Sequence, residues 1–162
     1  MATFDKEALR QVALSRLEEE LSTLREAAEA TRRAATHEES RPENDKDTRG
    51  LEASYLARGQ AKRVAETEEA LHLIRQMALR EFAEDSLIAI TALVTVDLDE
   101  VQRLYFLVPG GGGREIETQG TRVQLINPAS PVGRALLNKR VGDDFELRIG
   151  GARREYEILH LE

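Results

Sequence analysis

The sequence predicts an α+β protein in which an N-terminal antiparallel coiled-coil hairpin of two α-helices precedes a small antiparallel β-sheet domain with one short helix. Apolar residues recur every three or four positions through most of residues 1–83, which is the helical period. From residue 84 onward apolar and polar residues alternate, which is the period of a strand. A polar stretch at about residues 39–48 separates the two helical patterns. We therefore assign residues 1–83 to the hairpin, with its tip at about 39–48, and residues 84–162 to the sheet domain.

The first helical pattern extends from Asp5 to about Thr36. No proline or glycine interrupts it. Charged residues cover the remaining faces, so the helix is expected to pack along a single stripe. The members of this stripe are Leu14, Leu17, Leu21, Leu24, Ala28, Thr31 and Ala35.

A second stripe with the same spacing follows the polar stretch. Two such helices joined by a short polar connection are expected to form an antiparallel coiled coil of about 30 residues per helix, which is about 45 Å long. The seam half that lies away from the sheet domain is mostly alanine and threonine, so we expect it to be weakly packed. The second stripe consists of Ala53, Ala57, Gln60, Val64, Thr67, Leu71, Ile74 and Ala78.

The start of the second helix has two candidate signals. Ser40 and Glu43 have the spacing of a capping box. Asp47 or Thr48, just before Leu51, is the alternative N-cap.

Five strands and one short helix are expected in the second half. Ser130 is predicted to cap the short helix with Pro131 at its first position, and Gly150-Gly151 to form the turn of a closing hairpin. Gly110–Gly113 is interpreted as a simple flexible hairpin loop. The expected strands cover residues 87–96, 102–108, 121–127, 143–149 and 154–162.

Composition excludes several classes of function. The chain has no cysteine, so disulfides, thiolate metal sites and cysteine nucleophiles are absent. The net charge of −7 and an aromatic content of 4% are unlike those of a protein that binds duplex phosphates or stacks bases. The apolar run from Leu87 to Val96 is too short to span a bilayer, and the N-terminus has no signal-peptide pattern. A cytoplasmic protein without membrane contact is the default expectation.

The polar stretch is the candidate for chemistry. Glu43, Asp45 and Asp47 crowd within about one helical turn, and carboxylates suit a hard cation such as Mg²⁺. A solvated turn is the competing interpretation, because charge runs usually face water. The three histidines, His37, His72 and His160, do not have the spacing of a metal site. The arginines Arg103, Arg114 and Arg122 are interpreted as ordinary surface residues.

The segment Ser130–Leu147, "SPVGRALLNKRVGDDFEL", resembles the C-terminal signature of the Gre family of bacterial transcript-cleavage and elongation factors. The stretches "LVTVDLDE", "YFLV" and "REYEILHLE" are similar to the strands of that family, and "RVAETEEAL" is similar to its second coiled-coil helix. Asn127 stands where a serine often occurs. The resemblance covers essentially the whole chain and implies an FKBP-like fold for the C-terminal domain.

The resemblance also implies a mechanism. It implies that the coiled coil enters the secondary channel of bacterial RNA polymerase core while Ser130, Pro131 and Val132 dock at the channel rim. The tip residues Glu43, Asn44, Asp45 and Asp47 then reach the polymerase active centre, where the acids share an Mg²⁺ with the polymerase for hydrolysis of backtracked RNA. Contact with nascent RNA is indirect, the factor has no catalytic residues or cofactor of its own, and we expect a monomer.

The tip departs from the acid-x-x-acid pattern of cleavage factors. Alignment from the first helix puts the pair on Asn44 and Asp47. Alignment from the second helix puts it on Glu43 and Lys46, and the Glu-Asn dipeptide puts it on Ser40 and Glu43. None of these registers keeps both acids. A factor that occupies the channel without promoting cleavage is therefore the first alternative.

The sheet domain and the coiled coil each suggest one further alternative function. An FKBP-like chaperone or prolyl isomerase needs an aromatic-lined pocket, for which Tyr105, Phe106, Phe145 and Tyr156 are the available residues. A structural coiled-coil adaptor would dimerise through the seam.

Overall fold

The computed structural model describes the backbone of residues 3–39 and 46–162 and the side chains of residues 3–37 and 50–162. Two long helices, α1 (Lys6–Glu39) and α2 (Lys46–Gln76), pack antiparallel against each other. At 1.5 Å per residue, the 34 residues of α1 extend over about 51 Å. The predicted helical hairpin followed by a sheet domain is confirmed.

The two helices begin at different kinds of signal. Asp5 caps α1, because its Oδ1 accepts hydrogen bonds from the backbone N–H groups of Glu7 (2.9 Å) and Ala8 (3.2 Å). The first residue of α2 is Lys46, next to the alternative start predicted at Asp47 or Thr48. The capping box at Ser40 and Glu43 lies outside the described residues.

Packing along the hairpin seam weakens with distance from the sheet. Near the sheet, the leucines of α1 and the apolar residues of α2 are buried. Farther out the seam is polar, and Gln60 Nε2 donates a hydrogen bond of 3.0 Å to Thr31 Oγ1. Two predicted stripe members are exposed. They are Ala78, which follows the end of α2, and Ala57 in the outer part of the seam.

The second half forms one six-stranded sheet with the order β3-β4-β2-β1-β6-β5. The short helix α3 (Pro131–Leu136) lies between β4 and β5 in the chain. Neighbouring strands are antiparallel except β2 and β4, which are parallel. The strands are β1 (Leu93–Leu98), β2 (Val101–Leu107), β3 (Arg114–Thr118), β4 (Thr121–Ile126), β5 (Asp144–Ile149) and β6 (Ala152–Leu161).

The strand β3 and the parallel pair are differences from the sequence prediction. Residues 114–118 pair with residues 121–125 through a two-residue turn at Gln119 and Gly120, both of which have positive φ. The β4 strand inserts between β2 and β3, so it runs in the direction of β2. The sheet is therefore mixed rather than purely antiparallel, and Gly110–Gly113 connects strands that are not neighbours.

Each face of the sheet has its own core. One face packs on the base of the hairpin, where Leu17 and Ile74 meet Phe106 and Leu125 in one buried cluster. The opposite face is covered by α3 and by the segment before β1, with Ile88, Leu107 and Leu136 in the second cluster. Because the hairpin base and the sheet share the first core, the hairpin is packed against the sheet rather than tethered to it.

In the described part of the chain, no helix combines the length and the hydropathy that a bilayer crossing requires.

Lys6, at the start of α1, carries a pH-dependent contribution to stability. Its ammonium group donates to the carbonyl oxygen of Arg80 at 2.6 Å and lies over the Phe82 ring, 4.6 Å from the centroid. Burial lowers the pKa of Lys6 from 10.5 to about 8, against the opposing charges of Glu162 and Glu81. The folded protein therefore releases this proton at a lower pH than the unfolded chain does.

We predict that the free energy of unfolding increases with pH between about 8 and 10, relative to a Lys6→Met variant. In this window the unfolded state binds more protons than the folded state, so raising the pH favours folding. Urea denaturation of both proteins across this range measures the difference. Burial raises the pKa of Tyr105 to about 12, but this tyrosine is present in both proteins and its effect cancels. A difference that does not change with pH contradicts the prediction.

Candidate functional site

The tip of the hairpin is only partly covered by the structure. The helix α1 ends at Glu39 and α2 begins at Lys46, so Ser40, Glu43, Asn44 and Asp45 lie outside the described residues. Asp47 belongs to the first turn of α2, although its side chain is not described. The two helix ends that flank this segment, Glu39 and Lys46, lie at the end of the hairpin remote from the sheet. The roles predicted for these side chains stay predictions.

The first turns of α2 after the tip expose large apolar side chains. Leu51 is 56% exposed, Tyr55 63% and Leu56 54%. Leu51 and Tyr55 are four residues apart and so lie on the same side of α2. Large apolar side chains are therefore exposed on α2 near the tip.

The predicted docking residues lie where β4 leads into α3. Ser130 caps α3, as the sequence predicts. Its hydroxyl accepts from the N–H of Gly133 at 3.0 Å and donates to the carbonyl oxygen of Asn127 at 2.9 Å. Pro131 is exposed at the first position of α3, whereas Val132 packs partly against the second core. The hydroxyl of Ser130 therefore shapes the turn, and Pro131 is the residue of this set presented to solvent.

Asn127 and Gly133 hold the Ser130 turn together, and the sequence did not reveal this arrangement. The Asn127 side-chain oxygen accepts from the N–H of Ala129 at 3.0 Å, which is an Asx turn. A Cβ on Gly133 would lie 2.0 Å from the carbonyl oxygen of Asn127, so the first turn of α3 rests on the loop backbone. This close approach explains why glycine follows Val132 in this chain.

The glycine loop contacts the base of the hairpin. A Cβ on Gly110 would lie 2.7 Å from Leu73 Cδ1, and one on Gly111 would lie 3.1 Å from Ala70 Cβ. Gly112 approaches Asn127 in the same way, with 2.8 Å to its backbone nitrogen. The interpretation of Gly110–Gly113 as a simple flexible loop is therefore wrong. Its glycines allow the loop backbone to lie against α2 and against the turn that leads to Ser130.

Arg114 joins the sheet to α1. Its Nε and Nη2 donate to the two carboxylate oxygens of Glu20 at 2.7 and 2.8 Å, and its Nη1 donates to the carbonyl oxygen of Gly111 at 3.0 Å. Both side chains are only about a quarter exposed, at 23% and 26%. The hydrogen bonds from Arg114 lower the pKa of Glu20. The prediction that Arg114 is an ordinary surface residue is therefore wrong, whereas Arg103 and Arg122 are exposed.

A groove of about 460 Å³ lies on the sheet beside the N-terminus of α1. Phe4 contributes the one phenylalanine or tyrosine ring among the described lining residues, and the other lining groups near it include Gln102, Gln124 and His160. The four aromatic residues considered for a prolyl-isomerase pocket are packed elsewhere. Tyr105, Phe106 and Tyr156 are buried, and Phe145 stacks on Tyr156 with ring centroids 4.7 Å apart. The groove therefore lacks the aromatic lining that an isomerase requires.

Within the side chains that the structure describes, no group of three or more histidine, aspartate or glutamate residues is placed to hold a metal ion. His160 lies 3.3 Å from Glu162, and His72 is exposed on α2. The side chains of the tip acids lie outside the described part of the chain. The tip therefore remains the candidate for shared metal binding.

Comparison with known proteins supports one family. Residues 85–162 match the sequence model of the C-terminal domain of transcription elongation factors GreA/GreB. The transcription elongation factor GreA of Beijerinckia indica is 30% identical over 111 residues, which are 68% of this chain and 65% of that protein. GreA of Rhizobium etli is 28% identical over 97% of each chain.

Among solved structures, the crystal structure of Thermus aquaticus Gfh1 is similar, with a TM-score of 0.38 and 20% identity over 93% of this chain and 94% of that chain. The long helical hairpin, the six-stranded sheet and the Ser130 turn occur together in a chain that is similar to GreA of Rhizobium etli over nearly its full length. The chain belongs to the Gre family of transcription elongation factors.

Proposed function

We propose that this protein binds bacterial RNA polymerase core through the secondary channel and stimulates the polymerase's own cleavage of backtracked RNA. The observation that carries the proposal is the hairpin itself. Its two helices extend far from the sheet, to Glu39 and Lys46, and bury little of their distal surface. The outer half of the hairpin contributes little to the core, so in this proposal it serves to reach into a partner.

In this proposal the sheet domain and the hairpin contact different parts of the polymerase. The exposed Pro131, on the turn fixed by Ser130, contacts the channel rim together with Val132. The exposed Leu51 and Tyr55 contact the protein walls of the channel, because apolar side chains favour a protein surface over RNA. Contact with the nascent RNA is then limited to the tip, in agreement with a net charge of −7.

The tip carboxylates of Glu43, Asp45 and Asp47 have the donor chemistry that Mg²⁺ prefers. In this proposal they contribute ligands to an Mg²⁺ that the polymerase binds. Asn44 makes a hydrogen bond close to this metal. When bound, the metal lowers the pKa of a water and so supplies the nucleophile for hydrolysis. The protein is then an accessory factor, located with the polymerase in the cytoplasm, and works as a monomer.

A cleavage assay on a stalled, backtracked elongation complex tests the proposal. Addition of the protein is expected to accelerate shortening of the RNA from its 3′ end, and co-sedimentation with core polymerase is expected to show binding. Binding without acceleration supports the alternative of a channel factor that does not promote cleavage, for which the absence of the acid-x-x-acid pattern is the motivating observation. Absence of binding contradicts both.

A further inference from the structure

The glycine loop packs closely against the hairpin at Gly110 and Gly111. A Cβ on Gly111 would lie 3.1 Å from Ala70 Cβ, 3.5 Å from Ile74 Cδ1 and 3.7 Å from Leu17 Cδ1. Ala70, Ile74 and Leu17 are buried. The Cβ of Ala70 is fixed to the helix backbone and cannot rotate away, so a Cβ added at Gly111 requires the loop and α2 to separate by a few tenths of an ångström. Gly111 therefore fixes how closely the loop and the hairpin approach.

A polar contact also joins the glycine loop to the hairpin. The guanidinium of Arg114 binds both oxygens of Glu20 on α1 and the carbonyl oxygen of Gly111 in the loop. Such a fork fixes direction as well as distance, because the two N–H groups and the two carboxylate oxygens are coplanar. We call the set of Glu20, Ala70, Gly111 and Arg114 the seat of the hairpin.

The length of the hairpin amplifies small changes at the seat. Ala70 is 24 residues from Lys46, the first residue of α2, which corresponds to about 36 Å of helix. A displacement of about 0.5 Å at the seat, acting across one helix diameter of about 10 Å, moves the tip by about 2 Å. A misplacement of about 1 Å at a reacting centre can change a rate about 100-fold.

We propose that the seat sets the direction in which the hairpin projects from the sheet, and that Gly111 is a positioning residue for the tip. The part of this proposal that concerns cleavage rests on the proposed function. The part that concerns direction is a property of the free protein and is tested without polymerase.

Electron spin-resonance distance measurement tests the direction. Because the chain has no cysteine, two introduced cysteines are its only labelling sites. Tyr55 near the tip and Ile149 on the sheet are exposed positions for them. Tyr55 is 15 residues from Ala70, which corresponds to about 22 Å of helix. We therefore expect Gly111→Ala to shift the mean distance between the labels by about 1 Å.

Gly113→Ala is the matched control. Gly113 also has a positive φ, +87° against +76° for Gly111, but a Cβ there has no atom within 4 Å. Both substitutions therefore impose similar backbone strain, and only the one at Gly111 presses on α2. We expect no shift for Gly113→Ala. We expect Ala70→Gly to restore the original distance in the Gly111→Ala background, because it removes the methyl group that the new Cβ meets.

Cleavage of backtracked RNA provides the second readout. Gly111→Ala is expected to lower the maximal rate at saturating factor about tenfold or more, without changing the factor concentration at half-maximal rate. An unchanged distance for Gly111→Ala, or equal shifts for Gly111→Ala and Gly113→Ala, overturns the seat. Absence of cleavage with the unmodified protein overturns the proposed function, while the distances still decide the seat.

A second variant covers the case in which Gly111→Ala does not fold. Glu20→Gln keeps the size of the side chain and removes the charge that holds Arg114. We expect the label distance to keep its mean and to broaden, because the hairpin loses a directional contact. A distribution as narrow as that of the unmodified protein overturns the seat.

Discussion

Replacement of Glu43, Asp45 and Asp47 together by alanine is expected to lower the rate of stimulated transcript cleavage on the order of 100-fold. The substitutions remove the carboxylates proposed to share Mg²⁺ with the polymerase, and they leave the docking turn and the hairpin packing unchanged. Affinity for core polymerase is therefore expected to stay the same. The measurement is the rate of RNA shortening in a backtracked complex at saturating factor, together with co-sedimentation.

A triple substitution at Glu19, Glu66 and Glu69 is the matched control. These glutamates are exposed on the same two helices but lie closer to the sheet. Their replacement changes the net charge equally, so it separates local chemistry at the tip from long-range attraction by the acidic hairpin. If the tip variant cleaves as fast as this control, the assignment of the tip acids is wrong. Single substitutions then distinguish among the three registers of the acid pair.

Truncation of Phe106 to alanine is expected to lower the free energy of unfolding by about 3–5 kcal/mol. Phe106 is fully buried on β2, in the core that the sheet shares with the hairpin base. Its removal leaves a cavity that the surrounding leucines cannot fill, because they belong to both the sheet and the two helices. Equilibrium denaturation in urea, monitored by circular dichroism, measures the loss.

Leu51→Ala provides the contrast for this prediction. Leu51 is also a large apolar residue, but it is 56% exposed near the tip, so its truncation is expected to change stability by about 0.5 kcal/mol or less. Similar losses for the two variants contradict the assignment of Phe106 to a core shared by the hairpin and the sheet. The Leu51 variant also serves in the binding assay, where we expect weaker association with polymerase.

The elements with a strong local pattern were predictable from the sequence. The helical period of Leu14, Leu17 and Leu21 identifies α1, because packing along one face requires this spacing. The cap at Ser130 followed by Pro131 identifies α3, because both residues act on backbone groups within one turn. In each case the residues that specify the structure are close together in the chain.

The features that sequence reasoning missed depend on distant residues. Arg114 and Glu20 are 94 positions apart, and nothing in their local surroundings pairs them. The β3 strand had a usable signal in the Gln119-Gly120 turn, but the glycines before it suggested a loop. The parallel pairing of β2 with β4 follows from the order of strands in the sheet, which a single sequence does not specify.

The core shared by the hairpin base and the sheet affects how a fragment of the chain behaves in solution. Leu93, Phe106, Ile116 and Leu125 face the helices, so a fragment that begins at residue 85 leaves this apolar surface uncovered. Such a fragment is expected to aggregate even though it contains every strand. Amide hydrogen exchange in the whole protein is then slowest at the base of both helices and in β1, β2 and β4, and becomes faster toward the polar outer turns.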